Sequence, residues 1–213
     1  AKQYQASITE YLNAVLLYSL LQKQEHDFHL RLRPVRIAMP VNLRRFFPSK
    51  TLRNFITMVY PSIDPRLGDY TFEEIVTQVH HYMRYYINSK FLRGDITTNA
   101  STQRNPLIRI VPLFLKDFVV RQFYQRVQDK NSSAGLTNMG AIRVPDDMKP
   151  YLERFDIYMG IPYSQRTNCA IVSFEDTLTV NFASCIIEAD VERRFFQKLV
   201  EDGIPVSIES NRE

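Results

Sequence analysis

The strongest charge asymmetry in the sequence is a cluster of six arginines and one lysine. Seven basic residues and no acidic one fall between residues 28 and 63: Arg31, Arg33, Arg36, Arg44, Arg45, Lys50 and Arg53. Such a cluster favours contact with phosphates or another anionic partner. Alternatively, a half-buried strand presents its arginines to solvent or pairs them with distant carboxylates. We favour this alternative for Arg31 and Arg33, and both interpretations stay open for Arg44 and Arg53.

Two pairs of histidines have spacings that a metal site or acid–base catalysis can use. His26 and His29 flank Asp27, but no third ligand is near in sequence, so we interpret this segment as a polar turn. His80 and His81 are adjacent within a predicted helix, which turns their side chains about 100° apart. We interpret them as exposed or partly packed helix residues, and we predict neither a metal site nor a catalytic residue.

The basic cluster surrounds two predicted strands. Every second residue from Val35 to Val41 is a large apolar one, and this period of two indicates a strand with one face on a core. Pro40 donates no backbone hydrogen bond, so we expect an edge or a bulge there. A second apolar run extends from Phe55 to Tyr60. The segment between the two runs is too long for a tight hairpin, so we expect its polar groups at the end of a sheet, where they can face a ligand.

Two capping boxes mark the starts of predicted helices, one at Ser7–Glu10 and one at Thr71–Glu74. Apolar residues then recur at helical spacing to about Gln24 in the first helix and to about Asn88 in the second. The sequence therefore predicts a helix, two strands and a second helix within its first 88 residues.

The rest of the chain is predicted to alternate between loops, strands and helices. These elements are an exposed loop over residues 93–105, a helix over 112–127, a helical turn from 145, strands over 168–173 and 177–183, and a helix that Asp190 caps and Gly203 ends. If Glu175 and Asp176 form the turn between the two strands, Cys169 faces Phe182 rather than Cys185. We therefore expect no disulfide and interpret both cysteines as buried thiols.

Composition narrows the class of protein. The chain has 213 residues, of which 45% are hydrophobic and 23% are charged, and its net charge is +4. This length and hydrophobic fraction suffice for one or two domains with a substantial core. No apolar run approaches the roughly 20 residues of a membrane span, and the two cysteines fit a reducing compartment, so we predict a cytoplasmic protein. The chain lacks an initiating Met, which is compatible with an excised segment. Neither a nucleotide-binding glycine loop nor a hydrolase elbow is present.

Several of these stretches resemble the CoA-dependent acyltransferase superfamily, which includes chloramphenicol acetyltransferase, peptide-synthetase condensation domains, wax-ester synthases and fungal alcohol acetyltransferases. Met39-Pro-Val-Asn-Leu-Arg-Arg45 resembles its "Pro-Val-x-x-Arg" strand. Thr51-Leu-Arg-Asn-Phe55 resembles the "Gly-Asn-Phe" strand that follows, with Arg53 in place of the glycine. The helix that begins at Ser7 resembles the "Ser/Thr-x-x-Glu-x-Leu-x-Ala" helix that opens the second half of the superfamily's fold, and the order of the segments matches.

Later segments carry weaker resemblances to the same superfamily. Thr137-Asn-Met-Gly140 resembles the "Ser-Asn-x-Gly" strand end that borders the acyl-transfer tunnel of wax-ester synthases, although Asn-x-Gly is also ordinary turn chemistry. Asp156, Gly160 and Pro162 fall at the spacing of the plant BAHD motif Asp-Phe-Gly-Trp-Gly-x-Pro, whose Asp is structural. The catalytic signature His-His-x-x-x-Asp-Gly is not reproduced, because Tyr-Met-Arg-Tyr-Tyr follows His81.

The order of the predicted elements indicates an α/β sandwich, a mixed and mostly antiparallel sheet with helices packed on one face. The resemblance implies that residues 1–213 are a single C-terminal acyltransferase-like domain, like half of chloramphenicol acetyltransferase, and that the N-terminal half with the catalytic base is absent from this chain. It also implies acetyl-CoA or another acyl-CoA as co-substrate, an alcohol or amine acceptor, no tightly bound cofactor, and no activity of this chain alone. The residues expected to line the tunnel are Asn42, Arg44, Asn54, Thr137 and Asn138.

A second hypothesis, from a different class, is a stand-alone module that binds an anionic partner through the Arg31–Arg53 region. Function in isolation and a steep salt dependence of binding would favour it. The acyltransferase hypothesis instead predicts an apolar surface where the missing half docks, and self-association as a homo-oligomer when that half is absent. Our predicted partners include no nucleic acid.

Overall fold

The computed structural model describes residues 1–27, 31–104, 112–113, 117, 122, 132–161 and 165–211. A six-stranded mixed sheet lies at its centre, and helices pack against one face. In chain order the helices and strands are α1 (Ile8–His26), β1 (Val35–Asn42), β2 (Ile56–Val59), β3 (Ser62–Ile63), α2 (Phe72–Tyr86), α3 (Ser89–Arg104), β4 (Ala134–Ala141), β5 (Thr167–Phe174), β6 (Thr177–Ser184) and α4 (Asp190–Glu201). The predicted α/β architecture is confirmed.

The sheet combines parallel and antiparallel pairs. Its strand order is β2-β1-β4-β5-β6, and the short β3 also pairs with β1. β1 runs antiparallel to β2 and β3, β4 runs parallel to both β1 and β5, and β5 and β6 form an antiparallel hairpin. The chain segment that links the two strands of each parallel pair must therefore cross outside the sheet.

The hairpin register agrees with the sequence. Cys169 pairs with Phe182, as a turn at Glu175 and Asp176 predicts, and both cysteines are free thiols. Cys169 is buried, and burial raises the pKa of its thiol. Cys185, however, is exposed, so the prediction of two buried thiols is wrong for this residue. It follows the last residue of β6, and its N–H donates to the Arg166 carbonyl at 3.0 Å at the end of the hairpin.

The core lies between the sheet and the helices on one face. Val35, Ile37, Met39 and Val41 of β1 are all buried there, which confirms the predicted alternation. The predicted helix after the first capping box is α1, and every one of its residues from Glu10 to Leu17 is buried. It packs against β1, α2 and α4 at once, and these contacts cover most of its circumference.

Pro40 has a local explanation in the sheet. β1 is the second strand in the order, yet it pairs with β4 only at Ile37 and Ala38. At Pro40 the paired strand is β2, where Met58 lies opposite. At Pro40, β1 therefore has no paired strand on the side of β4, and proline has no N–H to donate there. The prediction of an edge at Pro40 is confirmed.

The polar run that predicted a loop over residues 93–105 is helical up to Arg104 and belongs to α3. The side-chain oxygen of Asn88 accepts hydrogen bonds from the backbone N–H groups of Lys90 and Phe91 and so caps the start of α3. Leu92 is buried and anchors the first turn. Threonines in this run bond back to carbonyls of the preceding turn, as Thr97 does to Arg93, so their polarity does not oppose a helix.

The other predicted boundaries are mostly close. Both capping boxes form, and the turn after Pro145 is present, since the Met148 N–H donates to its carbonyl. Asp190 does not cap α4, because Ala189 is the N-cap residue and the Asp190 carboxylate instead faces Lys23 at 3.4 Å. Gly203 ends the helix with a φ of 79°, as predicted.

Parts of the sequence predictions fall outside the described residues. These are His29, residue 105 of the predicted loop, most of the predicted helix over 112–127, and Pro162. Among the helices that the structure describes, none is both long enough and apolar enough to span a bilayer.

The face of the sheet opposite the helices is closed near β5 by the segment before it. The Asn168 side chain, which is 1% exposed, accepts a hydrogen bond from the Gly135 N–H at 2.8 Å and donates one to the Gly160 carbonyl at 2.8 Å. Phe155 packs edge-to-face on Phe174, with ring centroids 5.1 Å apart. Asn168 thus joins β4, β5 and this covering segment.

We expect Asn168→Ala to lower the free energy of unfolding by about 2–3 kcal/mol, because it leaves the buried Gly135 N–H without an acceptor. Urea denaturation measures this change. Asn181→Ala is the matched control, since Asn181 lies on the same face and its amide bonds only to the more exposed Asp156. Equal losses from the two variants would contradict the central role of Asn168.

The two capping boxes differ in burial, and this difference predicts a pH effect. Burial raises the pKa of the Glu10 carboxyl, but hydrogen bonds from the Ser7 N–H and hydroxyl and the contact with His80 outweigh it, so the pKa lies below its ordinary value. The stability that Glu10 provides is therefore present above its ordinary pKa of 4.5 and is lost as the pH falls through the lower folded pKa.

We expect Glu10→Gln to reduce the slope of acid unfolding below about pH 4.5, measured as the free energy of unfolding against pH. Glu74→Gln removes the same residue from the exposed capping box of α2, and we expect it to change the slope less. A larger effect from Glu74→Gln would refute the assignment to the buried box.

Candidate functional site

The sheet opens between β1 and β4. The two parallel strands pair at Ile37 with Ala134 and at Ala38 with Gly135, and the pairing then stops although β1 continues to Asn42 and β4 continues to Ala141. Their carboxyl ends therefore diverge. In open sheets, the carboxyl ends of neighbouring parallel strands that separate are a common position for a ligand.

The irregular end of β4 forms one side of this opening. The pairing with β5 shifts register between Asn138 and Ala141, and Gly140 has a φ of 77°, which a residue with a side chain rarely adopts. The side-chain oxygen of Asn138 accepts a hydrogen bond from the Gly140 N–H at 2.8 Å. The strand end is thus held in a fixed bend.

The first two turns of α1 lie over the opening on the helix side. The Asn138 amide donates to the Thr9 hydroxyl at 2.9 Å and so connects the end of β4 to α1. The Asn13 amide donates to the Thr9 carbonyl and to the Met39 sulfur, both at 3.3 Å, and so connects α1 to β1. Together these four residues link the two diverging strands through the helix.

Asn13 carries an unsatisfied acceptor at this position. It is 0% exposed, and its side-chain oxygen has no hydrogen-bond partner in the described part of the chain. The orientation of the amide is fixed, because both partners of the side-chain nitrogen are acceptors. A buried amide oxygen without a donor costs about 1–3 kcal/mol, so a ligand or water that donates to it gains this energy.

Of the predicted tunnel residues, Asn42 and Arg44 lie at the end of β1. The Asn42 side-chain oxygen accepts from the Arg44 N–H at 3.0 Å. The Arg44 guanidinium donates to the carbonyls of Thr51 and Arg53 at 2.8 and 2.7 Å. These bonds engage Arg44 in the loop that connects β1 to β2, which favours the structural interpretation of this residue.

The remaining predicted tunnel residues are dispersed. Asn54 is exposed in the same loop. Thr137 pairs with Ala170 and lies on the opposite face of β4 from Asn138. Of the five candidates, Asn138 alone contacts α1 on the core side of the opening through a side-chain hydrogen bond, and the lining role of all five stays a prediction.

The residues that matched the BAHD spacing hold the covering segment in place. Asp156 accepts hydrogen bonds from the Asn181 amide at 3.2 Å and from Arg154 at 3.1 Å. Arg154 also forms a paired hydrogen bond with the Glu209 carboxylate at 2.8 and 2.7 Å, which attaches the C-terminal tail. The Gly160 carbonyl accepts from Asn168. These contacts are structural.

The histidines of α2 lie away from the opening. His80 is partly buried, with its Nδ1 atom 3.3 Å from the Glu10 carboxylate, and His81 is exposed, which confirms their interpretation as helix residues. In the described ranges no group of three or more His, Cys, Asp or Glu side chains is placed to hold a metal ion.

Sequence reasoning missed Thr9, Asn13 and Met39. Asn13 gave a usable signal, because it is a polar residue between Leu12 and Ala14 in the most apolar of the described helices. A polar side chain in such a position needs a partner, and this need points to a site or to a buried network. Thr9 and Met39 fit ordinary helix and strand patterns and gave none.

The comparisons with known proteins bear on the fold. No family model and no curated protein matches the sequence. Among solved structures, the chain is similar to the wax ester synthase/diacylglycerol acyltransferase from Marinobacter aquaeolei VT8, with a TM-score of 0.51 and 12% identity over 95% of this chain and 45% of that one. It is also similar to the epimerization domain of the third module of tyrocidine synthetase B, with a TM-score of 0.51 and 10% identity over 93% and 42%.

The chain therefore shares its fold with these two structures. It spans less than half the length of either structure. At these identities the similarity shows a shared fold, and it assigns no activity to this chain.

The unsatisfied oxygen of Asn13 leads to a stability prediction. We expect Asn13→Leu to raise the free energy of unfolding of the isolated chain by about 1 kcal/mol, because it removes a desolvated polar atom and keeps the number and branching of the side-chain heavy atoms. Denaturation in urea checks it. Ser19→Ala is the control, since Ser19 is equally buried on α1 but its hydroxyl bonds to the Val15 carbonyl. A loss of stability in Asn13→Leu larger than that in Ser19→Ala would show that the oxygen has a partner in solution.

Proposed function

We propose that this chain is the C-terminal half of an acyltransferase or condensation-type enzyme and supplies one wall of its acyl-transfer tunnel. The opening between β1 and β4 supports this proposal most directly, because it places the unsatisfied Asn13 oxygen and the Asn138 amide at the diverging ends of two parallel strands. An acyl-CoA thioester is the proposed donor, and an alcohol or amine is the proposed acceptor.

The proposed role excludes a complete catalytic apparatus in this chain. Acyl transfer to an alcohol or amine needs a general base within hydrogen-bond reach of the acceptor. In the described ranges no histidine is hydrogen-bonded to Thr9, Asn13, Met39 or Asn138, since His80 contacts Glu10, His81 faces solvent and His26 ends α1. The base is therefore proposed to come from a preceding half of the same protein, which agrees with a chain that spans less than half of its structural neighbours.

An apolar surface supports the docking of such a half. Ile56 and Met58 pair with Asn42 and Pro40, so they lie on the face of the sheet opposite the core. They are 49% and 38% exposed, and Met139 near the end of β4 is 64% exposed. These exposed apolar side chains lie at the same end of the sheet as the opening, which is where we propose that the preceding half docks.

The alternative function, a module that binds an anionic partner through the Arg31–Arg53 region, has one favourable observation. Arg45, Lys50 and Arg53 are exposed, and the described part of the chain holds no ion pair with any of them. Binding that falls steeply with salt in the absence of any thioester chemistry would support this alternative.

The test is to determine the coding sequence before Ala1 and to assay the full-length product with acetyl-CoA and a panel of alcohols and amines. We expect thioester cleavage by the full-length protein and none by residues 1–213 alone. Asn138→Ala in the full-length protein is expected to lower kcat/KM by about tenfold or more, because it releases the end of β4 from α1.

Asn181→Ala is the control for this experiment, since Asn181 lies on the far strand β6 and its side-chain amide donates to Asp156 of the covering segment. It should leave kcat/KM unchanged. Thioester cleavage by the isolated chain, or a full-length protein that consumes no thioester, would overturn the proposal.

A further inference from the structure

The loop between β1 and β2 presents one fully exposed leucine. Leu52 is 102% exposed, and basic residues stand close to it in sequence at Lys50 and Arg53. Neither the core nor the opening uses this side chain. An apolar residue at the tip of a basic loop has a composition suited to a surface that is both apolar and negatively charged.

The two residues on either side of Leu52 have hydrogen-bond partners within the loop. The carbonyls of Thr51 and Arg53 accept hydrogen bonds from the Arg44 guanidinium at 2.8 and 2.7 Å. The N–H of Thr51 donates to the Ser49 hydroxyl at 3.3 Å, and the N–H of Arg53 donates to the Thr51 hydroxyl at 3.2 Å. Both residues beside Leu52 therefore have internal partners for their N–H and C=O groups.

These hydrogen bonds beside Leu52 matter most in a poorly hydrated environment. Water satisfies the backbone of an exposed loop without help from side chains, whereas the interior of a bilayer does not, and each unsatisfied group costs several kcal/mol there. The Arg44 contacts therefore lower this cost for the two residues beside Leu52, whose carbonyls they satisfy. A soluble anion or an acidic protein would place no such demand on the backbone beside Leu52.

The charge around the tip adds a second, independent argument. No acidic residue occurs between residues 28 and 63, and the described part of the chain gives Arg45, Lys50 and Arg53 no ion pair. On α3, the Arg93 guanidinium lies 6.0 Å from the centre of the Phe47 ring and brings a further cation to the same loop. Basic side chains near a membrane surface are attracted to anionic lipid headgroups.

We propose that the loop from Phe46 to Phe55 is a peripheral contact with an anionic lipid surface, in which Leu52 enters the interfacial region and Lys50 and Arg53 contact the headgroups. Arg44 positions the loop from within and does not bind lipid. This contact does not depend on the proposed acyl transfer, although the same loop carries Asn54, one of the predicted tunnel residues.

The sequence contains no tryptophan, so one substitution gives a single reporter. In Leu52→Trp we expect the emission maximum to shift to shorter wavelength with vesicles of phosphatidylcholine and phosphatidylserine, and brominated lipid to quench it. Leu67→Trp is the matched control, because Leu67 is 79% exposed and its neighbour Arg66 is neutralised by Asp64 at 2.6 Å. Its emission should not change.

Two further variants test the two arguments by vesicle sedimentation. Lys50→Gln with Arg53→Gln is expected to weaken binding to anionic vesicles about 25-fold, since each cation near the surface contributes roughly fivefold. Leu52→Ser is expected to weaken it about tenfold or more. Leu67→Ser should bind like the unmodified chain.

Several results would overturn the proposal. An unshifted Leu52→Trp spectrum, or equal shifts from both tryptophan variants, would exclude insertion of the loop tip. If only the charge variant weakens binding, the loop attracts anions without entering the lipid. Binding to an acidic polypeptide such as polyglutamate that is as strong as binding to anionic vesicles would instead identify a protein-docking surface.

Discussion

The burial of α1 is the constraint on which the rest of the structure depends. Its residues from Glu10 to Leu17 are all enclosed by β1, α2 and α4, so the helix fills the space between the sheet and the outer helices. This position also brings its first turns over the place where β1 and β4 separate. The packing of α1 therefore forms the core and also determines which side chains face the opening.

The opening contains polar side chains where a protein core usually holds apolar ones. Thr9, Asn13 and Asn138 connect a helix and two strands where apolar side chains of similar size would pack without an unsatisfied atom. Residues that oppose stability in this way are typical of sites where a partner molecule completes the network. Arg44 differs, because its guanidinium donates to the carbonyls of Thr51 and Arg53 within its own loop.

Much of the fold could be predicted from the sequence, and the reasons are local. Ser7, Thr71 and the alternation in β1 are signals that nearby residues fix, and the hairpin register follows from a two-residue turn. The residues over 93–104 were misinterpreted because hydroxyl groups that bond back along a helix resemble a loop in composition. The site was predicted less well, since Asn13 and Asn138 are brought together by packing between segments 125 residues apart, which no local pattern records.

The arrangement of the chain in the sheet has a consequence for how the protein folds. Ile37 pairs with Ala134, and the Tyr11 hydroxyl donates to the Asp202 carboxylate at 2.6 Å across 191 residues. Contacts of this sequence separation close late and slowly, because a long loop must be ordered before they form. During synthesis, α1 thus emerges from the ribosome with most of its apolar surface exposed and waits for β4 and α4. The nascent chain is therefore a candidate substrate for chaperones that shield apolar helices until translation ends.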